Sequence, residues 1–142
     1  MAVALDTKNE TGVASGQTSP WTATFILTIG NNANRAVFAL VSFRGITSSG
    51  VSATFAGNAM TLIRSLSDTA GGSYDLYLFG IKGDASIPTG AQNIVLTWTG
   101  GAAAPVVLGA WSLYNVDQTP GWQNDAQATG TSTSASITIP SA

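Results

Sequence analysis

From Trp21 to Ile29 the residues Trp21, Ala23, Phe25, Leu27 and Ile29 are apolar, and Thr22, Thr24 and Thr28 fall between them. A period of two puts alternate side chains on opposite faces, which is the pattern of a half-buried β-strand. The same signal recurs along the chain. Val51, Ala53 and Phe55 alternate with Ser52 and Thr54, and after a break at Gly57-Asn58 the segment Ala59 to Leu66 reads as the second arm of a hairpin. Tyr74 to Lys82 is strand-like between the turn cluster Ser67 to Ser73 and Gly83-Asp84. Asn93 to Thr99 carries Ile94, Leu96 and Trp98 on one face, and Ala135, Ile137 and Ile139 alternate with Ser134, Ser136 and Thr138.

Two segments are apolar at both parities. Ala36 to Phe43 is broken only by Ser42, and Pro105 to Val116 is the longest apolar stretch. Runs of this length that are rich in β-formers suit central strands covered on both faces. Gly109, inside the second run, suggests a bulge or a close backbone approach. Helix-favouring Glu and Lys are scarce, and no capped stripe at helical spacing is present. The expectation is an all-β chain, a two-sheet antiparallel β-sandwich of jelly-roll or Greek-key type. Residues 1–142 form a single domain in this reading, with a short first strand from Val3 to Leu5. The stretch 7–19 is an N-terminal arm or long loop, and Gln118 to Thr133 is a second irregular stretch.

Charge and chemistry narrow the function. Five basic and seven acidic residues in 142 make 8% charged, with no histidine and no cysteine, against about a quarter charged in ordinary soluble domains. The chain thus lacks the side chains most used for proton transfer, thiolate chemistry and transition-metal binding. Lys8, Arg35, Arg44, Arg64 and Lys82 are scattered, so no basic stripe is available for phosphates and nucleic acid is not an expected partner. Met1-Ala-Val-Ala-Leu-Asp6 has neither the basic region nor the apolar length of a signal peptide. The apolar stretches fall short of the about 18 residues that span a bilayer as a helix. Neither a secretion signal nor a membrane span is expected in these residues, and the absence of cysteine leaves the compartment open.

The run Leu108-Gly-Ala-Trp-Ser-Leu-Tyr-Asn-Val-Asp-Gln-Thr-Pro120, then Ala128-Thr-Gly-Thr-Ser-Thr-Ser-Ala-Ser-Ile-Thr-Ile139, resembles a loose group of jelly-roll-like β-sandwich domains. They are found in tailed-phage virion proteins and bacterial surface proteins. Val51-Ser-Ala-Thr-Phe-Ala-Gly-Asn-Ala-Met-Thr-Leu62 is similar to an earlier hairpin of that group. The resemblance covers Trp21 to Ile139, and its motifs are structural. It implies a virion or surface protein. In that group further strands follow the Thr/Ser-rich one, whereas this sequence reaches Ser141-Ala142, so the expectation is either a short member of the group or a last sheet with an open edge that a neighbouring chain can complete.

Site candidates are few. Asp68, Asp75, Asp84, Asp117 and Asp125 lie in or beside turns, where Asp commonly bonds its own backbone; a catalytic pair among them has no supporting cluster. A serine nucleophile has only Lys8 or Lys82 as a base. No cofactor is expected. A calcium site built from Asp117, Gln118 or Asp125 lacks recognisable spacing and stays open. Trp98 and Trp111 read as core, and Trp21 stands at a strand entrance. Trp122 lies in the polar loop Thr119 to Asp125 with no periodic reason for burial. Its indole is either a lid on the sandwich or, with Gln123 and Asn124, a contact for a partner or glycan. The scarcity of charge favours a non-enzymatic structural subunit, and the resemblance implies that it belongs to a virion, as a capsid decoration or cement protein packed against its own copies or capsid protein. The alternative is a carbohydrate-binding or adhesive module at a cell surface or outside the cell.

Overall fold

A computed structural model describes residues 2–14, 21–44, 48–68, 74–100, 106–119 and 121–122. All structural statements concern these residues. Nine strands are present: β1 (Ala4–Ala14), β2 (Trp21–Ile29), β3 (Ala36–Arg44), β4 (Ser49–Phe55), β5 (Asn58–Ala59), β6 (Thr61–Asp68), β7 (Tyr74–Lys82), β8 (Gly90–Thr99) and β9 (Val106–Tyr114). They form a five-stranded sheet, β1-β9-β3-β7-β6, facing a four-stranded sheet, β2-β8-β4-β5, with every pairing antiparallel. The chain is an all-β sandwich. Apart from the β4–β5 and β6–β7 hairpins, successive strands cross from sheet to sheet, and β9 returns between β1 and β3, and β8 between β2 and β4. This is jelly-roll winding.

Alternation fixes which face is inside. β2 is buried at every odd position and exposed at every even one, and it pairs with β8 without a register shift from Trp21↔Trp98 to Ile29↔Gly90. Between the sheets lie Trp98, Phe43, Phe55, Phe79, Leu27, Leu96 and Leu108, all essentially inaccessible. Their aromatic rings interlock: Trp98 stacks on Trp21 with centroids 6.4 Å apart and meets Phe43 edge-on at 5.4 Å, while Tyr77 meets Phe43 edge-on at 5.8 Å. Offset and edge-on pairs satisfy the ring quadrupoles and add to the burial of apolar area.

Several expectations change. The hairpin after β4 turns at Ala56-Gly57, both at positive φ (48° and 82°), which is the conformation a two-residue hairpin turn requires. Asn58 is already paired with Phe55. That hairpin is only two pairs long, because the buried Met60 carries the chain across to the other sheet, where β6 pairs with β7. The region expected as an arm or loop contributes residues 7–14 to β1, an edge strand lying against β9. Its polar sequence disguised it, and a polar edge discourages unwanted strand pairing. Gly109 makes no bulge: it is in register with Leu40 of β3 and Glu10 of β1. The strand expected around Ala135 to Ile139 lies outside the described residues.

Candidate functional site

The two outer faces of the sandwich differ in chemistry. On the four-stranded sheet the outward positions include Thr22, Thr24, Thr28, Ser52 and Asn93, with Ile26 the one large exposed apolar side chain among them. The five-stranded sheet instead turns Phe38 and Leu40 of β3, Leu76 and Leu78 of β7, and Val107 and Trp111 of β9 outward. Leu5, Leu40 and Val107 are 56%, 42% and 50% exposed. The doubly apolar runs of β3 and β9 are thus covered on one face only, and Trp111, expected in the core, is half-buried on the outside. It stacks on Phe38 with centroids 5.5 Å apart and ring planes within 14°.

Trp122 lies on the same face. Its indole packs against Phe38 at 5.1 Å, tilted by 59°. It rests over Gly80, where a Cβ would fall 2.6 Å from its Cζ2 and 2.7 Å from Ile63 Cδ1. Gly80 is therefore needed for close approach rather than for an unusual φ. The Lys82 ammonium stands 5.0 Å over the indole and donates to the carbonyls of Asp117 (3.3 Å), Thr119 (2.5 Å) and Gly121 (2.6 Å). One cation so fixes the loop, adding a cation–π contact to three charge-assisted bonds. The Thr119 amide and hydroxyl both donate to Asp117 Oδ1, and these bonds hold the Asp117 carboxyl below its ordinary pKa. The structure places Trp122 on Phe38, Gly80 and Lys82. Gln123 and Asn124, expected beside it in a contact site, lie outside the described residues.

Next to this aromatic row is a recess of ≈ 330 Å³ lined by Leu5, Lys8, Leu40, Gly109 and Trp111, among others. Gly109 forms its floor, for a Cβ there would meet nothing within 4 Å. A second recess of ≈ 360 Å³ runs between the Trp122 loop and Val3, Phe38 and Leu113. The sequence signal that could have found this surface is the apolar outward parity of β3 and β9. It is ambiguous because a strand buried on both faces reads identically.

The carboxylates serve the frame. Asp6 accepts from Gly30 N (2.8 Å), Asn32 Nδ2 (3.1 Å) and Ser112 Oγ (2.8 Å), tying β1 to the β2–β3 turn and to β9. Asp84 accepts from the amides of Arg35 (2.9 Å) and Asn34 (3.0 Å), which lower its pKa, and it pairs with the buried Arg35 guanidinium at 3.6 Å. Asp75, buried in β7, accepts from Ser48 N (2.9 Å), Ser48 Oγ (2.8 Å) and Ser67 Oγ. Burial raises its pKa, but the bonds from Ser67 and Ser48 outweigh that and leave it below the ordinary value. A carboxylate so stabilised is a weak base, and its lone pairs are engaged. Among the described residues no three Asp or Glu converge as a cation would require.

No protein-family model, curated protein or solved structure matches the chain.

Proposed function

We propose that this chain is a non-catalytic structural subunit of a virion, a capsid decoration protein that works by packing its five-stranded sheet against neighbouring protein subunits. The apolar outer face of that sheet carries this reading. Solvated single domains seldom expose a contiguous apolar patch without a use for it, and such patches are typical of protein contacts. The chemistry of the face suits association, because an apolar centre of Phe38, Leu40, Val107 and Trp111 has Lys8, Arg44 and Arg64 towards its margins. Depletion of charge at the centre with charge at the rim is the usual anatomy of an interface. The resemblance of the Leu108 to Pro120 and Val51 to Leu62 runs to sandwich domains of tailed-phage virion and bacterial surface proteins supports the virion setting through its phage members. A carbohydrate platform at Trp122 has less behind it, since that indole already contacts Phe38, Gly80 and the Lys82 ammonium.

The experiment is gradient purification of particles from the producing culture, with antibody detection of the native chain and of a Leu40→Asp variant. The native chain should sediment with the particles in many copies, and the variant should stay at the top of the gradient. Recovery of the native chain only as free protein would overturn the reading.

A further inference from the structure

The outer face of the five-stranded sheet is stepped, and the step has a shape that fits itself. On the β3–β7 half the Trp122 indole stands above the sheet, seated on Gly80 and against Phe38. On the β9–β1 half the surface falls away into the recess floored by Gly109. Leu40 and Gly109 are register partners on adjacent strands, so a protruding side chain and a hole lie side by side, one strand spacing of about 4.8 Å apart. A two-fold axis running close to the strand direction between β3 and β9 exchanges these halves. It sets Leu40 of each copy over Gly109 of the other, and the raised Trp122 indole over the lower β9–β1 half.

We infer that this face is the contact between two copies of the chain, related by such an axis, with Leu40 as the side chain inserted into the partner's Gly109 recess. The inference rests on the packing function proposed above and names its partner. An isologous contact requires one patch to be complementary to itself, and a knob beside a hole of matching chemistry meets that requirement. The size fits as well. Five strands about 4.8 Å apart and nine residues at about 3.3 Å each give a face of roughly 700 Å², close to the about 800 Å² per partner of a standard stable interface. Face-to-face stacking of sheets is also the packing by which this fold already builds its own core. Among the described residues the threonine-rich outer face of the other sheet lacks such an apolar centre.

Sedimentation equilibrium over micromolar to millimolar concentrations tests the pairing, with three proteins compared: wild type, Leu40→Asp and Gly109→Leu. The wild type should approach twice the chain mass of 14.4 kDa. Leu40→Asp should weaken the dimer about tenfold or more, as expected for a central contact. Gly109→Leu discriminates between mechanisms. Its side chain enters open space in an ordinary extended backbone, so the urea midpoint should not fall, but it fills the hole and should weaken the dimer about tenfold as well. Tighter association of Gly109→Leu would mean a nonspecific apolar surface and would overturn the knob-and-hole contact. A wild type that is monomeric throughout would overturn self-pairing. If that monomer still sedimented with particles and Leu40→Asp did not, the packing function would survive with a different protein as partner; if neither depended on Leu40, both would fall.

Discussion

Replacing Gly80 with alanine adds a single carbon at the point where the Trp122 loop meets the sheet. That carbon would lie 2.6 Å from Trp122 Cζ2, 3.0 Å from Trp122 Cη2 and 2.7 Å from Ile63 Cδ1. Carbon atoms in contact settle at about 3.5–4.0 Å, so the indole must rise by roughly 1 Å, and Ile63 on the other side must also give way. The isoleucine end can rotate. The indole cannot rise without leaving Phe38 and shifting under the Lys82 ammonium, which three loop carbonyls hold in place. Overpacking of this kind costs about 1–3 kcal/mol. In a Trp122→Ala background the larger obstruction is gone, and Gly80→Ala should be close to neutral or stabilising by up to about 1 kcal/mol, because the backbone there suits alanine and the unfolded chain loses freedom. The assay is a double-mutant cycle from urea unfolding by far-UV circular dichroism, with the indole emission of the native state recorded alongside. A coupling of about 1 kcal/mol or more between the two sites, with red-shifted emission in Gly80→Ala alone, is expected. Equal costs in both backgrounds, or unchanged emission, would refute the seating of Trp122 on Gly80.

Other outcomes follow from the same contacts. Phe43→Ala removes a fully buried ring that meets both Trp98 and Tyr77, and should cost about 3–5 kcal/mol in urea unfolding. Asp6→Ala leaves the Gly30 amide and the buried Ser112 hydroxyl without their acceptor, so a loss of about 1–3 kcal/mol is expected, with faster amide exchange along β1. Asp75 is held below its ordinary pKa in the fold. Its contribution is therefore complete above the unfolded carboxylate value of about 3.9 and is lost as pH falls through the folded value. Asp75→Asn should lower the urea midpoint at neutral pH and flatten its dependence below about pH 4; equal slopes for variant and wild type would contradict the assignment.

How far the sequence anticipated the fold depended on how directly each strand's neighbours could be read from its own residues. β2 and β7 have the bounds that alternation and turn residues gave them, Trp21–Ile29 and Tyr74–Lys82. β8 begins earlier than its apolar alternation, at Gly90, because Ala91 and the polar Gln92 pair with Thr28 and Leu27 of β2. β1 escaped notice beyond Leu5 for a related reason: its hydrogen bonds come from β9, and nothing in Thr7-Lys8-Asn9 announces a partner. The surface was harder to foresee than the strands. Phe38, Leu40, Val107 and Trp111 are apolar whether a second layer covers them or not, so only the assembled topology shows that their face lies outward. Trp122 was singled out by its polar surroundings, but its actual contacts, Phe38, Gly80 and Lys82, come from strands about 40 to 84 residues earlier in the chain, a separation no local pattern encodes.

The most direct measurement is solvent paramagnetic relaxation of assigned methyl groups in the self-associated protein, with a neutral soluble probe. Leu40 and Val107 report on the outer face of the five-stranded sheet, Ile26 on the outer face of the other sheet, and Leu27 on the core. If the five-stranded sheet packs against protein, the Leu40 and Val107 methyls will approach the protection of Leu27 as concentration rises, while Ile26 stays strongly relaxed. Relaxation of Leu40 and Val107 as strong as that of Ile26 at every concentration would contradict it.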